Sequence, residues 1–585
     1  MKVFFYNGSS AQASPKISYA VEIFFSTYGL EYEIVDNLEE LNPLPQDLIL
    51  AYGPLDKLEA VKSKFEATGL ILVIDAFSTY LSATSRKIEL VSLKKDSDSC
   101  IPVFFSCSHP SRNSVYVLYD RNGSSSAGIE RDGDSFILYA DILGSSFYLL
   151  SLQEESENKT RDKHNRFLAK FGFRKDEMLI GIPLVNQYFK LLFTLISFEA
   201  ESKGIPFVRK CFWPGNSKSA IALTHDVDVL DKWFLYLVFL SGRFIRKGKI
   251  AKTIKTIFKV LKSVLKGKNP LFSFDKITDE EGRYGYKSSF YFTGKQPSLV
   301  SILRSDSNYD LSKKNIRRII DKLKTKGNEI GLHGSYSSYC NKEQLNWEKV
   351  QAEQISKGNV LGNRQHFLRM DLPRTWEIEE ECGFLYDATL GFADQSGFRA
   401  GLAFPFYPYD NSRNRKMSIL ELNQNIMDQT YEKYQSKDSS EIQLEILKLI
   451  QDVENSGGGL VSINWHSNMV EEFGFGDFEQ LYQNLLQYIS ERKYLVDTAK
   501  NIAEWWTNRE KVRLENMTNQ SNQIKWEYNT SDEINNLSFE VYNVDGYQIL
   551  TEGTESKIDL KGNSALVIFP HLEKGQKFSL ILKSK

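Results

Sequence analysis

Cysteine is scarce: the 585 residues hold five, Cys100, Cys107, Cys211, Cys340 and Cys382, and none forms a CxxC pair. An odd, scattered set argues against a disulfide framework and against a thiolate zinc site, and it fits a reducing compartment. Long apolar runs are also missing. The longest, from Trp233 to Leu240, falls well short of the roughly 20 residues that a membrane-spanning helix needs. The apolar stretch near the start, Val3 to Tyr6, is too short for the core of a secretory signal. Nor is there an excess of charge: 73 basic and 75 acidic residues leave a net charge of -2. The chain as a whole is therefore no polyanion binder, and an electrostatic partner must meet a local patch. The expectation from these absences is a cytoplasmic protein. What is present, 41% hydrophobic and 25% charged residues, is ordinary globular composition, and the length calls for two to four domains.

Residues 1–205 read as an N-terminal α/β accessory domain. Apolar runs at Val3–Tyr6, Leu48–Ala51, Leu70–Ile74, Val103–Ser106 and Val115–Tyr119 alternate with helical patterns such as Lys16–Tyr28. Gly123–Ser126 reads as a polar turn, and the charged stretch Gln153–His164 as an exposed helix or loop. No chemical motif stands out in this region. Residues 206–510 alternate regularly between strand and helix. Strands are expected at Ala220–Leu223, Ser288–Phe292, Glu329–Leu332, Gln365–Leu368, Ser418–Leu422 and Leu460–Trp465. Helices are expected from Ser312 to the stop at Gly327, and at Lys342–Ser356, Thr375–Cys382, Glu441–Glu454 and Asp477–Glu491. So many βα units favour a barrel or a doubly wound sheet. Residues 511–585 alternate like strands at Ser538–Tyr542, Lys557–Leu560, Ala565–Phe569 and Lys577–Leu582, which predicts a small β-sandwich-like, all-β domain.

Polar residues cluster where the central strands end. Ile221-Ala-Leu leads into Thr224-His225-Asp226-Val227-Asp228, and Glu329-Ile-Gly-Leu into His333-Gly-Ser-Tyr-Ser337. Gln365-His-Phe-Leu leads into Arg369-Met-Asp371, and Val461-Ser-Ile-Asn-Trp into His466. In a parallel barrel the C-terminal strand ends share one face, where active sites sit. A lone histidine there is usually a satisfied core residue; His225, His333, His366 and His466 together make a site the better reading. Asp226 and Asp228 are two apart, so on a strand their carboxylates share a side and repel unless a cation lies between them. Carboxylate and imidazole are ligands that zinc accepts, and a water on such a metal becomes acidic enough to attack an amide.

In this order, Thr-x-Asp-x-Asp, Gly-Leu-His-x-Ser, an Arg–Pro–aromatic segment and a strand ending in His, the chain resembles the polysaccharide deacetylase (carbohydrate esterase, NodB-like) family. Ser288–Thr293, Tyr386–Gly391 and Gly397–Gly401 resemble a subgroup with an extra N-terminal α/β domain. The resemblance covers roughly half the chain. It implies an α/β fold with a distorted (β/α) barrel, and a divalent metal, usually zinc, held by one Asp and two His. It implies Asp226 as the base that deprotonates water, Asp228 and His333 as metal ligands, and His466 as the acid that protonates the leaving amine. Arg369, ahead of Pro373 and Trp376, resembles the arginine that orients the base, with Arg364 as its competitor. The family's second histidine is missing: four residues after His333 stands Ser337. The third ligand is left among His225, His366, a carboxylate and water.

From Arg243 to Lys268 there are ten Lys or Arg and no acid. Ile250, Ile254, Ile257, Phe258, Leu261 and Leu265 repeat every three or four residues, with Lys252, Lys255, Lys259, Lys262 and Lys266 opposite. The expected arrangement packs the apolar stripe on the barrel and leaves the lysines in water. The alternative is peripheral contact with an anionic membrane and a lipid-linked carbohydrate substrate. No nucleic-acid partner is expected, because no aromatic residues interleave the lysines for stacking. The function expected is removal of N-acetyl or other N-acyl groups from a sugar or polysaccharide. The alternative, favoured by Ser337, is a non-catalytic glycan-binding or assembly protein with a degenerate barrel.

Overall fold

The computed structural model describes residues 1–44, 46–65, 68–83, 90–95, 100–110, 114–176, 178–294, 309–520 and 522–585. The N-terminal region is a nine-stranded sheet. Tyr32–Val35, Val3–Asn7, Leu48–Gly53, Gly69–Ile74 and Ser135–Leu138 run parallel. Ser125–Asp132, Ser114–Tyr119, Val91–Lys94 and Cys100–Val103 extend it antiparallel. Leu48–Gly53 and Gly69–Ile74 are buried at every position, which fits strands covered on both faces. The strand expected at Val103–Ser106 lies earlier, at Cys100–Val103, and Ser125–Asp132 occupies part of the expected turn. The charged stretch Gln153–His164 is a short helix and loop exposed at Glu157, Lys159, Thr160 and Lys163, but Glu154 and Glu155 are buried in ion pairs with Arg174 and Arg399, at 2.8 and 2.6 Å.

The central sheet is parallel throughout. Its order is Leu420–Glu421, Tyr386–Asp387, Gly362–Gln365, Glu329–Gly334, Ser289–Phe292, Ser219–Val227, Gly459–Asn464, Gln424–Met427, with Leu495–Asp497 pairing to the side of Ser219–Val227. Its two edge strands, Leu420–Glu421 and Gln424–Met427, are consecutive in the chain and two residues apart. The sheet therefore curls into a parallel half-barrel whose two edges fall on one segment of chain. One strand departs from expectation in register: Gly362–Gln365 replaces Gln365–Leu368. Gly362-Asn-Arg-Gln is polar yet wholly buried, with Asn363, Arg364 and Gln365 each hydrogen-bonded to a buried carboxylate, so hydrophobicity points instead to the neighbouring Phe367 and Leu368. Those two residues leave the strand through left-handed backbone, with φ of 62° and 54°.

The C-terminal region is two four-stranded antiparallel sheets. Tyr528 and Phe578 of one meet Phe539 and Phe569 of the other, with ring centroids 4.6 to 6.0 Å apart. Phe207–Lys210, far away in sequence, is an edge strand here, paired with Ile534–Tyr542. The basic segment forms two helices, Trp233–Arg246 and Ile250–Leu265, separated at Gly248, whose φ of 71° favours glycine. The apolar stripe, Ile257 excepted, does not pack on the barrel. Thr253, Thr256 and Val260 face inward instead, and Ile250, Ile254, Phe258, Leu261 and Leu265 are exposed.

Candidate metal and catalytic site

Because the central strands all run one way, the residues at their C-terminal ends meet at one rim. Asp226 closes the strand Ser219–Val227 and is buried. Its Oδ1 accepts from Arg364 Nη1 at 3.0 Å and its Oδ2 from Asn464 Nδ2 at 2.8 Å. Arg364 also donates to Thr224 Oγ1 at 2.8 Å and to the Ala388 carbonyl at 2.9 Å, which fixes its plane. Burial pushes the Asp226 carboxyl up, but Arg364, then His333 and His466, outweigh it and hold the group below the usual carboxylate range.

His333 Nδ1 lies 2.9 Å from the Arg364 carbonyl oxygen. A carbonyl can only accept, so Nδ1 carries the hydrogen and Nε2 of the neutral ring presents a lone pair. That Nε2 is 3.3 Å from Asp228 Oδ1, and both atoms are buried without a hydrogen-bond partner. His366 Nε2 lies 3.6 Å from the same oxygen. The candidate ligand atoms of Asp228, His333 and His366 all fall within 4.8 Å of one another. Two ligands about 2 Å from a tetrahedral ion sit roughly 3.3 Å apart. The orphaned atoms, their spacing and the one-carboxylate, two-imidazole chemistry all fit a divalent metal such as zinc. Burial pushes Asp228 up, yet the close approach of the His333 ring and the fields of His366 and His466 hold it well below the usual range.

His225 belongs elsewhere. Strand alternation turns it away from Asp226, and its ring nitrogens meet the Trp465 carbonyl at 2.7 Å and Glu281 Oε1 at 2.8 Å. It is a satisfied core histidine. The third histidine near Asp228 is thus His366, delivered by the register of Gly362–Gln365.

His466 follows the strand Gly459–Asn464. Asp428, at the end of Gln424–Met427, accepts from its backbone N–H at 2.7 Å and lies 2.6 Å from its Nδ1. Its Nε2 is left facing Asp226 Oδ2 at 3.9 Å and Asp228 Oδ2 at 3.7 Å. Burial pushes the imidazole down, but Asp428 pushes it further up, to about 9. Asp226, Asp228, His333 and His466 are therefore brought together, and Arg369 is not. Arg369 donates to the His164 carbonyl at 2.7 Å and to Tyr339 Oη at 2.9 Å, between the Tyr336 and Tyr339 rings. Arg364 holds the position beside Asp226 instead.

Sequence reasoning missed Asp428, Asn464 and the N-terminal contribution. Asp428 had a usable signal, a carboxylate directly after a core strand. The site opens into a cavity of about 1150 Å³. One wall is the segment Asp162–Lys170 of the N-terminal region. There the His164 ring stacks on Phe367 at 4.7 Å, and Arg166 donates to the Phe367 carbonyl at 3.0 Å and to Tyr434 Oη at 2.7 Å. No sequence pattern marks a wall made by residues some 200 positions from their partners.

A protein-family profile described as "Family of unknown function (DUF7033)" matches residues 7–200. No curated protein matches. Among solved structures, the chain is similar to a probable polysaccharide deacetylase from Pseudomonas aeruginosa PAO1, at 13% identity and TM-score 0.33, over 50% of this chain and 92% of that one. It is similar to the peptidoglycan deacetylase PdaC from Bacillus subtilis, at 13% identity and TM-score 0.26, over 50% and 94% of the two chains. It is also similar to a CE4 family pseudoenzyme from Bacillus anthracis, at 10% identity and TM-score 0.26, over 50% and 66%. At these identities the likenesses carry no chemistry over, and the chemistry of this chain rests on its own side chains.

Proposed function

We propose that the chain is a metal-dependent hydrolase that removes N-acyl groups, N-acetyl first among them, from a sugar. The observation that carries this is the pairing of the Asp228–His333–His366 cluster, whose ligand atoms converge within 4.8 Å, with two separately supported proton-transfer groups, Asp226 and His466. A divalent cation held by Asp228, His333 and His366 supplies Lewis acidity to water and to the amide carbonyl. Asp226 is kept ionised by Arg364, so its Oδ2 can take a proton from the attacking water. His466 is kept protonated by Asp428, so its Nε2 can deliver a proton to the departing nitrogen. The two groups have opposite protonation states at neutral pH, the division that amide hydrolysis requires. Tyr236, Tyr336, Phe367 and Tyr434 line the cavity and offer flat apolar faces to sugar rings.

The non-catalytic alternative drew its strength from Ser337. His366 supports the catalytic reading, because it restores a three-donor set without that position. The test pairs metal content with acetate release from chito-oligosaccharides. Purified protein is expected to hold close to one divalent ion per chain, retained in Asp226→Asn and lost in His366→Ala. Acetate release is expected to fall about 1000-fold in Asp226→Asn. A folded protein that takes up no divalent metal, or equal release by Asp226→Asn, overturns the reading.

A further inference from the structure

The helices Trp233–Arg246 and Ile250–Leu265 turn large apolar side chains outward, with Phe258 69% and Leu265 87% exposed. At about 100° per residue, the second helix divides into three sectors. Thr253, Thr256 and Val260 point into the protein. Ile250, Ile254, Phe258, Leu261 and Leu265 fill an exposed apolar sector about 80° wide. Lys252, Lys255, Lys259, Lys262 and Lys266 fill the next sector, of similar width. Phe234, Val238 and Ile245 extend the apolar surface along the first helix. Of the ten cations between Arg243 and Lys268, Arg243, Lys247 and Lys259 alone have an acidic partner among the described residues.

A contiguous apolar surface of this kind marks an interaction site, and the charge beside it says with what. We infer that this helix pair docks on the surface of an anionic bilayer, its rings among the upper acyl chains and its lysines at the headgroups. Two copies of this face brought together would set lysines against lysines, which disfavours self-association. A nucleic acid would leave the apolar sector in water. Among the described residues no helix is long and apolar enough to cross a membrane, so the contact is peripheral.

The docking face is continuous with the cavity. Leu235 and Phe239 are exposed on the first helix and also line the pocket that ends at Asp228, His333 and His466. Docking therefore turns the mouth of the cavity toward the headgroups. Taken with the deacetylase reading, on which this extension rests, the substrate class is a glycan carried on a lipid.

The test is flotation of the full chain with vesicles of phosphatidylcholine alone or mixed with phosphatidylglycerol. The protein is expected to float with mixed vesicles, to leave them at high salt, and to ignore pure phosphatidylcholine. The variant Phe234→Ser/Phe258→Ser/Leu265→Ser is expected to keep its thermal midpoint and lose binding. Lys255→Gln/Lys262→Gln/Lys266→Gln is expected to weaken partitioning about 100-fold. No flotation, or flotation indifferent to both variants, overturns docking. So does a dimer without vesicle binding that the serine variant abolishes, which would assign the face to a second copy. For the extension, the serine variant should keep its rate on soluble chito-oligosaccharide and lose its rate on a lipid-linked N-acetylglucosaminyl substrate in vesicles. Equal losses on both overturn it. Docking without activity on either substrate would remove the deacetylase reading and leave the membrane contact standing.

Discussion

Asp428 shows how much a single carboxylate can set. It holds His466 twice, through the backbone N–H and through Nδ1, and it is the main reason the imidazole stays protonated up to a pH of about 9. Asp428→Asn keeps the shape and removes the charge. Burial then acts with less opposition, so the pKa of His466 falls. Since the role proposed for His466 needs the protonated ring, the alkaline limb of a kcat/KM profile is expected to move to lower pH by at least one unit, roughly the 1.4 kcal/mol that such a shift represents. The profile is read between pH 6 and 10, a range on the order of the usual imidazole and amine pKa values; an unmoved alkaline limb removes Asp428 from this role. The arginines teach a related lesson. Arg364 and Arg369 both follow plausibly from the motif, yet strand alternation points Arg364 inward onto Asp226, and the left-handed turn at Phe367 carries Arg369 off to Tyr336 and Tyr339.

At the scale of elements, the sequence announces strands that are apolar and conceals those that are not. Ser219–Val227, Glu329–Gly334 and Gly459–Asn464 carry hydrophobic runs, and the residues that close them, Asp226, His333 and His466, could be named in advance. Gly362–Gln365 is buried through polar side chains: Asn363 Nδ2 and Gln365 Nε2 donate to Glu379 Oε1 at 2.6 and 3.0 Å. Its three-residue displacement is what separates naming His366 as one option from placing it beside Asp228. The segment Asp162–Lys170 was illegible for another reason, since its meaning lies wholly in contacts with the barrel rim. Arg166 anchors it, paired with Asp162 at 2.7 Å and bonded across to Phe367 and Tyr434. Arg166→Ala is expected to loosen this wall without touching Asp226 or the metal cluster. KM should rise about 10-fold, the worth of one charged hydrogen bond, with kcat within about two-fold and metal content unchanged. A fall in kcat with KM constant would show that the segment serves the chemical step instead.

At the scale of the whole molecule, three regions that read as separate along the chain are joined through their interior. The buried apolar core runs without interruption from Phe5 and Phe24 through Phe212, Trp213 and Phe404 to Trp506 and Phe539. Arg509, in the helix Ala499–Glu510, sits at the junction. Its Nη1 and Nη2 donate to Ser26 and Thr27 carbonyls at 2.8 and 2.9 Å, near the C-terminal end of the helix Ser14–Tyr28, where a cation is favoured. Its Nε and Nη2 donate to the Cys211 and Lys210 carbonyls at 2.7 and 3.1 Å, at the strand that joins the C-terminal sandwich. All these partners are neutral, and burial pulls the guanidinium down to about 10. Arg509→Met fills similar space and removes the donor from two buried carbonyls, of Thr27 and Cys211, and two part-buried ones, of Ser26 and Lys210, the buried pair costing about 1 kcal/mol or more each and the part-buried pair less. The expected loss is about 3 kcal/mol, seen as a lower midpoint in urea with one cooperative transition. Arg509→Lys should recover less than half of it, because one ammonium cannot reach both helix end and strand. Two or three separate transitions in the parent protein would mean that the regions fold independently and that this junction does not couple them.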